Sequence, residues 1–217
     1  MYKFVLFDMD GTLVNTYQGI YHSYEYAAKK LGIEFQGEQF VGNVIGAPLM
    51  SVFTDWLLLS QEDARKGIEY YRKYYAERGK NEVSVYEGIK ESLSKLKKEE
   101  YVLGIATLKR EVFAKEILKN LGLDIYFDVV YGIDDNDSLT KSKLIEKCIS
   151  KMHALKKDTI LVGDSEYDYE GARAVEIDFL AVSYGFGFRD SEYFKKNKIS
   201  LVAHSGFDIA SILENLS

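Results

Sequence analysis

The sequence predicts an α/β fold, in which helices cover both faces of a parallel sheet and an all-helical domain is inserted into the chain. Two patterns predict the sheet: short apolar runs alternate with segments of helical spacing, and polar residues directly follow several of these runs. A third pattern predicts the insertion, because residues 15–85 contain no convincing strand. Strands that alternate with helices of this length run parallel, since each crossover returns the chain to the same end of the sheet.

Five apolar runs have the length and composition of buried strands. Each is four to six residues long, and most are rich in β-branched or aromatic residues. The runs are residues 2–7, 101–106, 128–131, 159–162 and 179–182. Helices are predicted over residues 88–98 and 112–121, where apolar residues recur every three or four positions and Gly122 ends the second segment.

The interval 15–85 is predicted to form a helical domain. Helical spacing recurs over residues 20–31, 48–59 and 61–78. Pro48, the only proline of the chain, lies at the start of the second of these helices. We therefore assign residues 1–14 and 86–217 to a Rossmann-like core and residues 15–85 to the all-helical domain.

The composition excludes several classes of protein. With a single cysteine, Cys148, the chain can form neither an intramolecular disulfide nor a thiolate metal cluster. The sequence has no apolar run of about eighteen residues and no signal-peptide pattern, so we expect a cytoplasmic protein with no membrane partner. A formal net charge of −6 argues against a general nucleic-acid binder.

Polar segments follow four of the predicted strands. They are residues 8–13, 107–109, 137–143 and 163–168. The first segment supplies two carboxylates, Asp8 and Asp10, and the last supplies Asp164 and Asp168. Because the carboxyl ends of parallel strands share one edge of a sheet, we expect these segments to converge on one crevice.

In their order along the chain, these four segments resemble the four motifs of the haloacid dehalogenase superfamily of phosphohydrolases. The first, Asp8-Met9-Asp10-Gly11-Thr12-Leu13, is similar to the first signature of that superfamily. Residues 15–85 lie where one subgroup carries a helical cap, and residues 42–49 and 184–187 resemble segments of phosphoglycolate-phosphatase-like members. The resemblance implies a phosphatase with a helical cap.

The resemblance implies that Asp8 is the nucleophile and forms an aspartyl-phosphate. It also implies Mg²⁺ as the cofactor, held by Asp8, Asp164 and the backbone carbonyl of Asp10, with Asp168 supporting these ligands. A carboxylate that attacks a phosphate dianion meets repulsion of about 4 kcal/mol per charge pair at about 4 Å and an effective dielectric of about 20, so a cation must offset it. Lys141 would neutralise both Asp8 and the phosphate.

Phosphate binding is implied for Thr107 and for the backbone N–H groups of Met9 and Leu108. Thr107 could also cap the helix that follows it. Asp10 is implied as the general acid and base, a role that typically accelerates a reaction about 10²–10⁴-fold. Superfamily ATPases place threonine at the position of Asp10, so an aspartate there favours a phosphatase or a phosphomutase.

Three residues depart from the family pattern. Leu108 stands where serine or asparagine is common, and Asn15 stands where aspartate is frequent. Ser142 follows Lys141 where many relatives have proline. This last departure leaves Lys143 as a rival to Lys141 for the role of the site lysine.

Taken singly, the motif residues have simpler explanations. Asp8 and Asp10 could belong to a turn at the end of a strand. Lys141 could be a solvated helix lysine, and Asp164 and Asp168 could stabilise the first turn of a helix through its dipole. The four motifs together favour the catalytic interpretation.

We therefore predict a Mg²⁺-dependent phosphatase that hydrolyses a phosphate monoester of a small phosphorylated metabolite, acting as a monomer or weak homodimer. Phosphoglycolate, a nucleoside monophosphate, a sugar phosphate and pyrophosphate are all candidate substrates, and we expect the helical domain to select among them. One alternative is a β-phosphoglucomutase-like sugar phosphomutase, which shares all four motifs. The other is a non-catalytic phosphate-binding module.

Overall fold

The computed structural model describes residues 2–134, 139–188 and 191–216. The chain divides into two compact units. One consists of Met1–Asn15 together with Val85–Ser217, and the other is Thr16–Ser84. These limits differ by one residue from the boundaries predicted from the sequence.

The larger unit contains the predicted parallel sheet. In the described part of the chain the strands are β1 (Phe4–Phe7), β2 (Val14–Asn15), β3 (Ser84–Val85), β4 (Val102–Arg110), β5 (Val129–Ile133), β6 (Thr159–Gly163), β7 (Asp178–Val182) and β8 (Val202–Ala203). Six of them form one sheet in the order β5-β4-β1-β6-β7-β8, and every pairing in it is parallel. The predicted α/β fold is therefore confirmed. The two-residue strands β2, β3 and β8 were not predicted, because they carry no periodic signal.

Strand β1 occupies the centre of the sheet. Its last residue, Phe7, lies beside Ile105 of β4 on one side and Val162 of β6 on the other. Since all three strands point the same way, the residues that follow them emerge at one edge of the sheet. This register places the chain after β1 next to the chain after β4 and β6.

The sheet and the helices beside it share a buried apolar core. The described helices of this unit are α5 (Ile89–Lys98), α6 (Glu111–Leu121), α7 (Lys141–Met152), α8 (Glu166–Val175), α9 (Ser191–Lys196) and α10 (Gly206–Asn215). Leu144 and Cys148 of α7 pack with Leu6 and Leu161 of the sheet, and all four are fully buried. Cys148 is thus a packed core residue, as its place in an amphipathic pattern indicates.

The smaller unit is helical. Its helices are α1 (Tyr17–Leu31), α2 (Gly37–Val44), α3 (Leu49–Ser51) and α4 (Gln61–Glu77), with a π-helix over Val52–Trp56. The prediction of one helix over residues 48–59 is wrong: α3 is short, the π-helix follows it, and Leu58 has a left-handed backbone conformation with φ of 54°. Among the described residues, no helix is both long and apolar enough to cross a membrane.

Candidate active site

Asp8 is the first residue after the central strand, and its side chain is buried. Its backbone N–H donates to the carbonyl of Val162 at 2.9 Å, which holds the end of β1 against β6. Burial raises the pKa of Asp8 to about 7, although the charge of Lys141 opposes this shift. The nearby charge of Asp168 raises the pKa of Asp8 further.

Lys141 connects the acidic residues of two motifs. Its Nζ donates to Asp8 Oδ1 at 2.5 Å and to the carbonyl of Ala106 at 2.8 Å, and it lies 2.6 Å from Asp168 Oδ1. Burial alone would lower the pKa of Lys141, but the charges of Asp168 and Asp8 outweigh burial, so its pKa lies above the usual range. The side chain of Lys143, by contrast, is exposed.

Helix α7 positions Lys141 as its first residue. Thr140 precedes the helix, and its hydroxyl oxygen accepts a hydrogen bond from the backbone N–H of Lys143. The first helical turn therefore directs Lys141 toward the sheet edge while Lys143 faces solvent. Asp137 and Ser138, which belong to the same predicted segment, lie outside the described residues.

Asp164 is enclosed by glycine-rich backbone. Its Oδ2 accepts hydrogen bonds from the backbone N–H groups of Phe186 at 2.7 Å and Gly187 at 3.1 Å. A β-carbon at Gly11 or Gly185 would overlap with the Asp164 side chain. The segment of residues 184–187, for which we predicted no specific role, thus fixes one carboxylate oxygen of Asp164 and leaves Oδ1 near the hydroxyl of Thr12, 3.4 Å away.

Asp168 has a different environment, although it is also buried. Its Oδ2 accepts hydrogen bonds from the backbone N–H of Ser165 at 3.0 Å and the Ser165 hydroxyl at 2.6 Å, forming the capping box at the start of α8. Its Oδ1 lies beside Lys141. Both oxygens therefore have partners from the chain, an arrangement suited to a residue that orients Lys141 and Asp8.

The three buried carboxylates could hold a metal ion. One oxygen from each of Asp8, Asp164 and Asp168 lies within 4.8 Å of the others. Burial and the charges of Asp168 and Asp8 raise the pKa of Asp164 well above its usual value, against the opposing effect of the Phe186 and Gly187 amides. Oxygen donors of this kind suit a hard divalent cation, whose charge would favour the ionised carboxylates. The residues present thus fit Mg²⁺.

Residues 107–109 do not form the expected strand-to-helix turn, because they lie within β4. Strand pairing continues irregularly through Arg110, and Arg110 itself stands at the N-cap position of α6. The suggestion that Thr107 caps the following helix is therefore wrong. Thr107 is buried, and its hydroxyl oxygen accepts a hydrogen bond from the backbone N–H of Lys109 at 3.2 Å. Leu108 is partly buried and packs against the core beside the sheet.

The tight turn after Asp8 is held by backbone hydrogen bonds. The carbonyl of Met9 accepts from the backbone N–H groups of residues 12, 13 and 14, and the Met9 side chain is fully buried. Gly11 adopts φ of 82°, a conformation that other residues rarely adopt. Asp10 lies in this turn, and its backbone forms an isolated bridge with Val14.

Lys109 is a site residue that sequence reasoning missed. Its Nζ lies 2.7 Å from Asp10 Oδ2, and the two side chains are only 6% and 18% exposed. The signal available in the sequence was its position, two residues after Thr107 in the second motif. Its partner was not predictable, because 99 residues separate Lys109 from Asp10.

Two tyrosines, Tyr86 and Tyr184, lie near Asp164. The hydroxyl of Tyr184 donates to the carbonyl of Thr12 at 2.8 Å, and its ring lies 4.9 Å from the ring of Tyr86. Burial raises the pKa of Tyr86, and the nearby charges of Asp164 and Asp10 add to this effect. Both tyrosines therefore border the acidic cluster.

The structure thus brings described residues from each of the four predicted motifs to one edge of the sheet. Asp8, Asp164, Asp168 and Lys141 form one contiguous buried cluster. The Asp10 carboxylate lies outside the group of three that could hold a metal and pairs with a different lysine.

The chain is similar to known proteins over most of its length. The sequence model of the family described as haloacid dehalogenase-like hydrolase matches residues 5–182. A 5′-nucleotidase from Pseudomonas aeruginosa is 31% identical over 190 residues, which cover 87% of this chain and 86% of that protein. The pyrophosphatase PpaX from Halalkalibacterium halodurans is 30% identical over 210 residues, which cover 96% of this chain and 95% of that protein.

A solved structure supports the same relationship. The crystal structure of a predicted phosphatase from Clostridium acetobutylicum matches with a TM-score of 0.92 and 33% identity, covering 99% of each chain. The similarity therefore extends over both the sheet-containing unit and the helical unit.

Proposed function

Because the chain belongs to the haloacid dehalogenase-like hydrolase family and is a phosphatase of that family, we propose that it hydrolyses a small phosphate monoester with Mg²⁺ through a phosphorylated Asp8. The observation that carries this proposal is the position of Lys141 Nζ, 2.5 Å from Asp8 Oδ1 and 2.6 Å from Asp168 Oδ1, two carboxylates that each have an oxygen within 4.8 Å of one from Asp164. A turn that only ends a strand does not require a buried lysine between two buried carboxylates, so this arrangement favours a catalytic role for Asp8.

In this mechanism, an oxygen of Asp8 attacks the phosphorus atom and the alcohol departs. Lys141 holds the Asp8 carboxylate in place and offsets its charge as the dianionic phosphate approaches. Asp168 orients Lys141, since its remaining oxygen is held by the capping box of α8. Thr107 and the backbone N–H groups of Met9 and Leu108 bind the phosphoryl oxygens.

We assign the metal site to Asp8, Asp164 and the backbone carbonyl of Asp10, with Asp168 in support. When bound, the ion supplies charge stabilisation for the phosphoryl oxygens and for the ionised carboxylates. The chain prepares this site by directing two amide N–H groups at Asp164 Oδ2, which fixes the orientation of the carboxylate. Such fixed outer contacts typically strengthen metal binding.

Asp10 serves as general acid and then as general base. Its Oδ2 is held by Lys109, whereas Oδ1 is buried and has no hydrogen-bond partner within the described parts of the chain. Oδ1 is therefore the oxygen left to give a proton to the leaving oxygen. After the alcohol departs, the same oxygen takes a proton from the water that hydrolyses the phosphorylated Asp8.

The proposal is tested with a panel of phosphorylated metabolites, assayed for phosphate release with Mg²⁺ and with a chelator. The panel includes nucleoside monophosphates and pyrophosphate, because two relatives are named 5′-nucleotidase and pyrophosphatase. We expect Mg²⁺-dependent release, with the phosphoryl group trapped on Asp8 in rapidly quenched reactions. Phosphate release by Asp8→Asn would contradict the mechanism. So would conversion of a sugar phosphate into an isomer with the phosphoryl group at another position and without release of phosphate.

A further inference from the structure

The side chain of Tyr184 connects the ends of two strands that are not neighbours in the sheet. Tyr184 lies just after β7, whereas Thr12 lies in the turn after β1, and β6 stands between these two strands. Two strand spacings amount to about 9–10 Å, so only a long side chain with a polar end can make such a connection. The Tyr184 hydroxyl donates to the Thr12 carbonyl at 2.8 Å.

The residues after Tyr184 contact both Asp164 and the turn after β1. Two backbone N–H groups of the segment 184–187 donate to Asp164 Oδ2, at 2.7 and 3.1 Å. A β-carbon at Gly185 would overlap with Asp164 on one side and with the carbonyl oxygen of Gly11 on the other. The same four residues therefore hold the carboxylate that follows β6 and the turn that follows β1.

The turn after β1 transmits a contact at Thr12 to Asp10. Four backbone hydrogen bonds join residues 9–14 to one another, and Asp10 lies within this closed turn. The Thr12 hydroxyl also donates to Asp164 Oδ1 at 3.4 Å, which adds a second connection between the turn and this carboxylate. A restraint on the Thr12 carbonyl thus restrains the backbone of Asp10 as well.

We infer that Tyr184 is a positioning residue, which fixes the distance between the carbonyl of Asp10 and the carboxylate of Asp164 in the metal site. This inference rests on the proposed function, which assigns both groups to Mg²⁺. The two groups follow different strands, and Mg²⁺ requires near-ideal octahedral geometry. Ligands whose separation is fixed before the ion binds increase its affinity, because less order has to be imposed on binding.

The test measures the affinity of the whole protein for Mg²⁺ by calorimetric titration. Tyr184→Phe removes the hydroxyl and keeps the ring, and we expect its Kd for Mg²⁺ to rise by about tenfold or more. Tyr101→Phe is the matched control, because the Tyr101 hydroxyl also donates to a backbone carbonyl, that of Leu213, at 3.5 Å. Tyr101 precedes β4 and so lies at the opposite edge of the sheet, and its replacement should leave the Kd unchanged.

Phosphate release gives a second measurement. Since Tyr184→Phe keeps every proposed ligand, saturating Mg²⁺ should restore most of its kcat. An unchanged Mg²⁺ affinity in Tyr184→Phe would overturn the inference and leave the phosphatase mechanism intact. A loss of kcat that saturating Mg²⁺ does not restore would also overturn it, because Tyr184 would then act on the chemical step.

If Tyr184→Phe does not fold, amide hydrogen exchange of the wild-type protein with and without Mg²⁺ tests the same connection. We expect the ion to slow exchange in residues 9–14 and 184–187 together, and protection that does not reach both segments would overturn the inference. If the wild-type protein neither binds Mg²⁺ nor releases phosphate from p-nitrophenyl phosphate, the proposed function fails, and the inference fails with it.

Discussion

Lys141 Nζ and Asp8 Oδ1 lie 2.5 Å apart, although 133 residues separate them in the sequence. The contact exists because β1 is central in the sheet and α7 begins at the same edge at which β1 ends. A buried carboxylate next to a buried ammonium group gives the proposed nucleophile a fixed position and a charge partner.

Replacing Asp8 with asparagine should abolish phosphate release, because an amide cannot form the acyl-phosphate. The fold should persist, since asparagine keeps the volume of the side chain. Release of phosphate and the circular dichroism spectrum measure the two effects. Asp124→Asn alters an exposed aspartate and serves as the control, which should match the wild-type protein. Turnover by Asp8→Asn would refute the assignment of the nucleophile.

Replacing Asp10 with asparagine should lower kcat by about 10²–10⁴-fold, because the departing alkoxide loses its proton donor. The loss should be smaller for p-nitrophenyl phosphate, whose leaving group needs little protonation. Steady-state kinetics on an alkyl phosphate and on p-nitrophenyl phosphate measure the difference. Equal losses on the two substrates would argue against a role for Asp10 as general acid.

Replacing Lys141 with glutamine should eliminate activity and lower the free energy of unfolding by about 3–5 kcal/mol, since it leaves buried carboxylates without their charge partner. Lys143→Gln is the matched control, because this lysine is only two residues away and exposed. Its stability should change by less than about 0.5 kcal/mol. Urea unfolding and phosphate release compare the two variants. Loss of activity in Lys143→Gln, with activity retained in Lys141→Gln, would make Lys143 the site lysine.

The stability of the metal-free protein should depend on the protonation of Asp8. Burial raises its pKa from 3.8 to about 7, so the folded state binds this proton more tightly than the unfolded state. The resulting stabilisation is fully present below the unfolded pKa and is lost as the pH rises toward the folded pKa. With chelator present, we expect the free energy of unfolding to fall between about pH 4 and pH 7, by at most about 4 kcal/mol.

Urea unfolding of the chelated wild-type protein and of Asp8→Asn across this pH range isolates the contribution of Asp8. The variant has no titrating group at this position, so its stability should decline less as the pH rises. Addition of Mg²⁺ should oppose the decline in the wild-type protein, since the ion favours the ionised carboxylate. Identical pH profiles for the two chelated proteins would show that Asp8 does not titrate in this range.

Replacing Gly185 with alanine should weaken Mg²⁺ binding by about 10–100-fold, because the added β-carbon would displace Asp164 and the carbonyl of Gly11. The overlap should also lower the free energy of unfolding by about 1–3 kcal/mol. The Mg²⁺ dependence of activity and calorimetric titration measure the affinity. Gly122→Ala is the control, since a β-carbon there meets nothing within 4 Å and lies at the end of α6. Gly122→Ala should alter the free energy of unfolding but not the affinity for Mg²⁺.

The fold class and most of the parallel strands could be predicted from the sequence, because buried strands between amphipathic helices leave a strong periodic signal. Residues 48–59 show where that signal fails. Apolar residues recur there at helical spacing, yet the α-helix ends after Ser51, a π-helix follows, and Leu58 takes a left-handed conformation. Spacing alone cannot distinguish an α-helix from a π-helix, since both bury one face.

The residue types that meet at the site could be predicted from the sequence alone. Acids stand directly after strands that must run parallel, a lysine begins the helix that follows another such strand, and parallel strands end at one edge. The sequence could not distinguish Lys141 from Lys143, because both lie in the first turn of the same helix. The structure distinguishes them, since the direction of the first turn of α7 buries one side chain and exposes the other.

The pairing of Lys109 with Asp10 and the binding of Asp164 by the amides of Phe186 and Gly187 could be seen only in the folded chain. These contacts depend on backbone positions at the ends of different strands, and an amide N–H group leaves no mark in the sequence because every residue except proline carries one. Residue identity determines the chemistry available at the edge of the sheet. The arrangement of the chain in space determines which charges are paired and which oxygen remains to react.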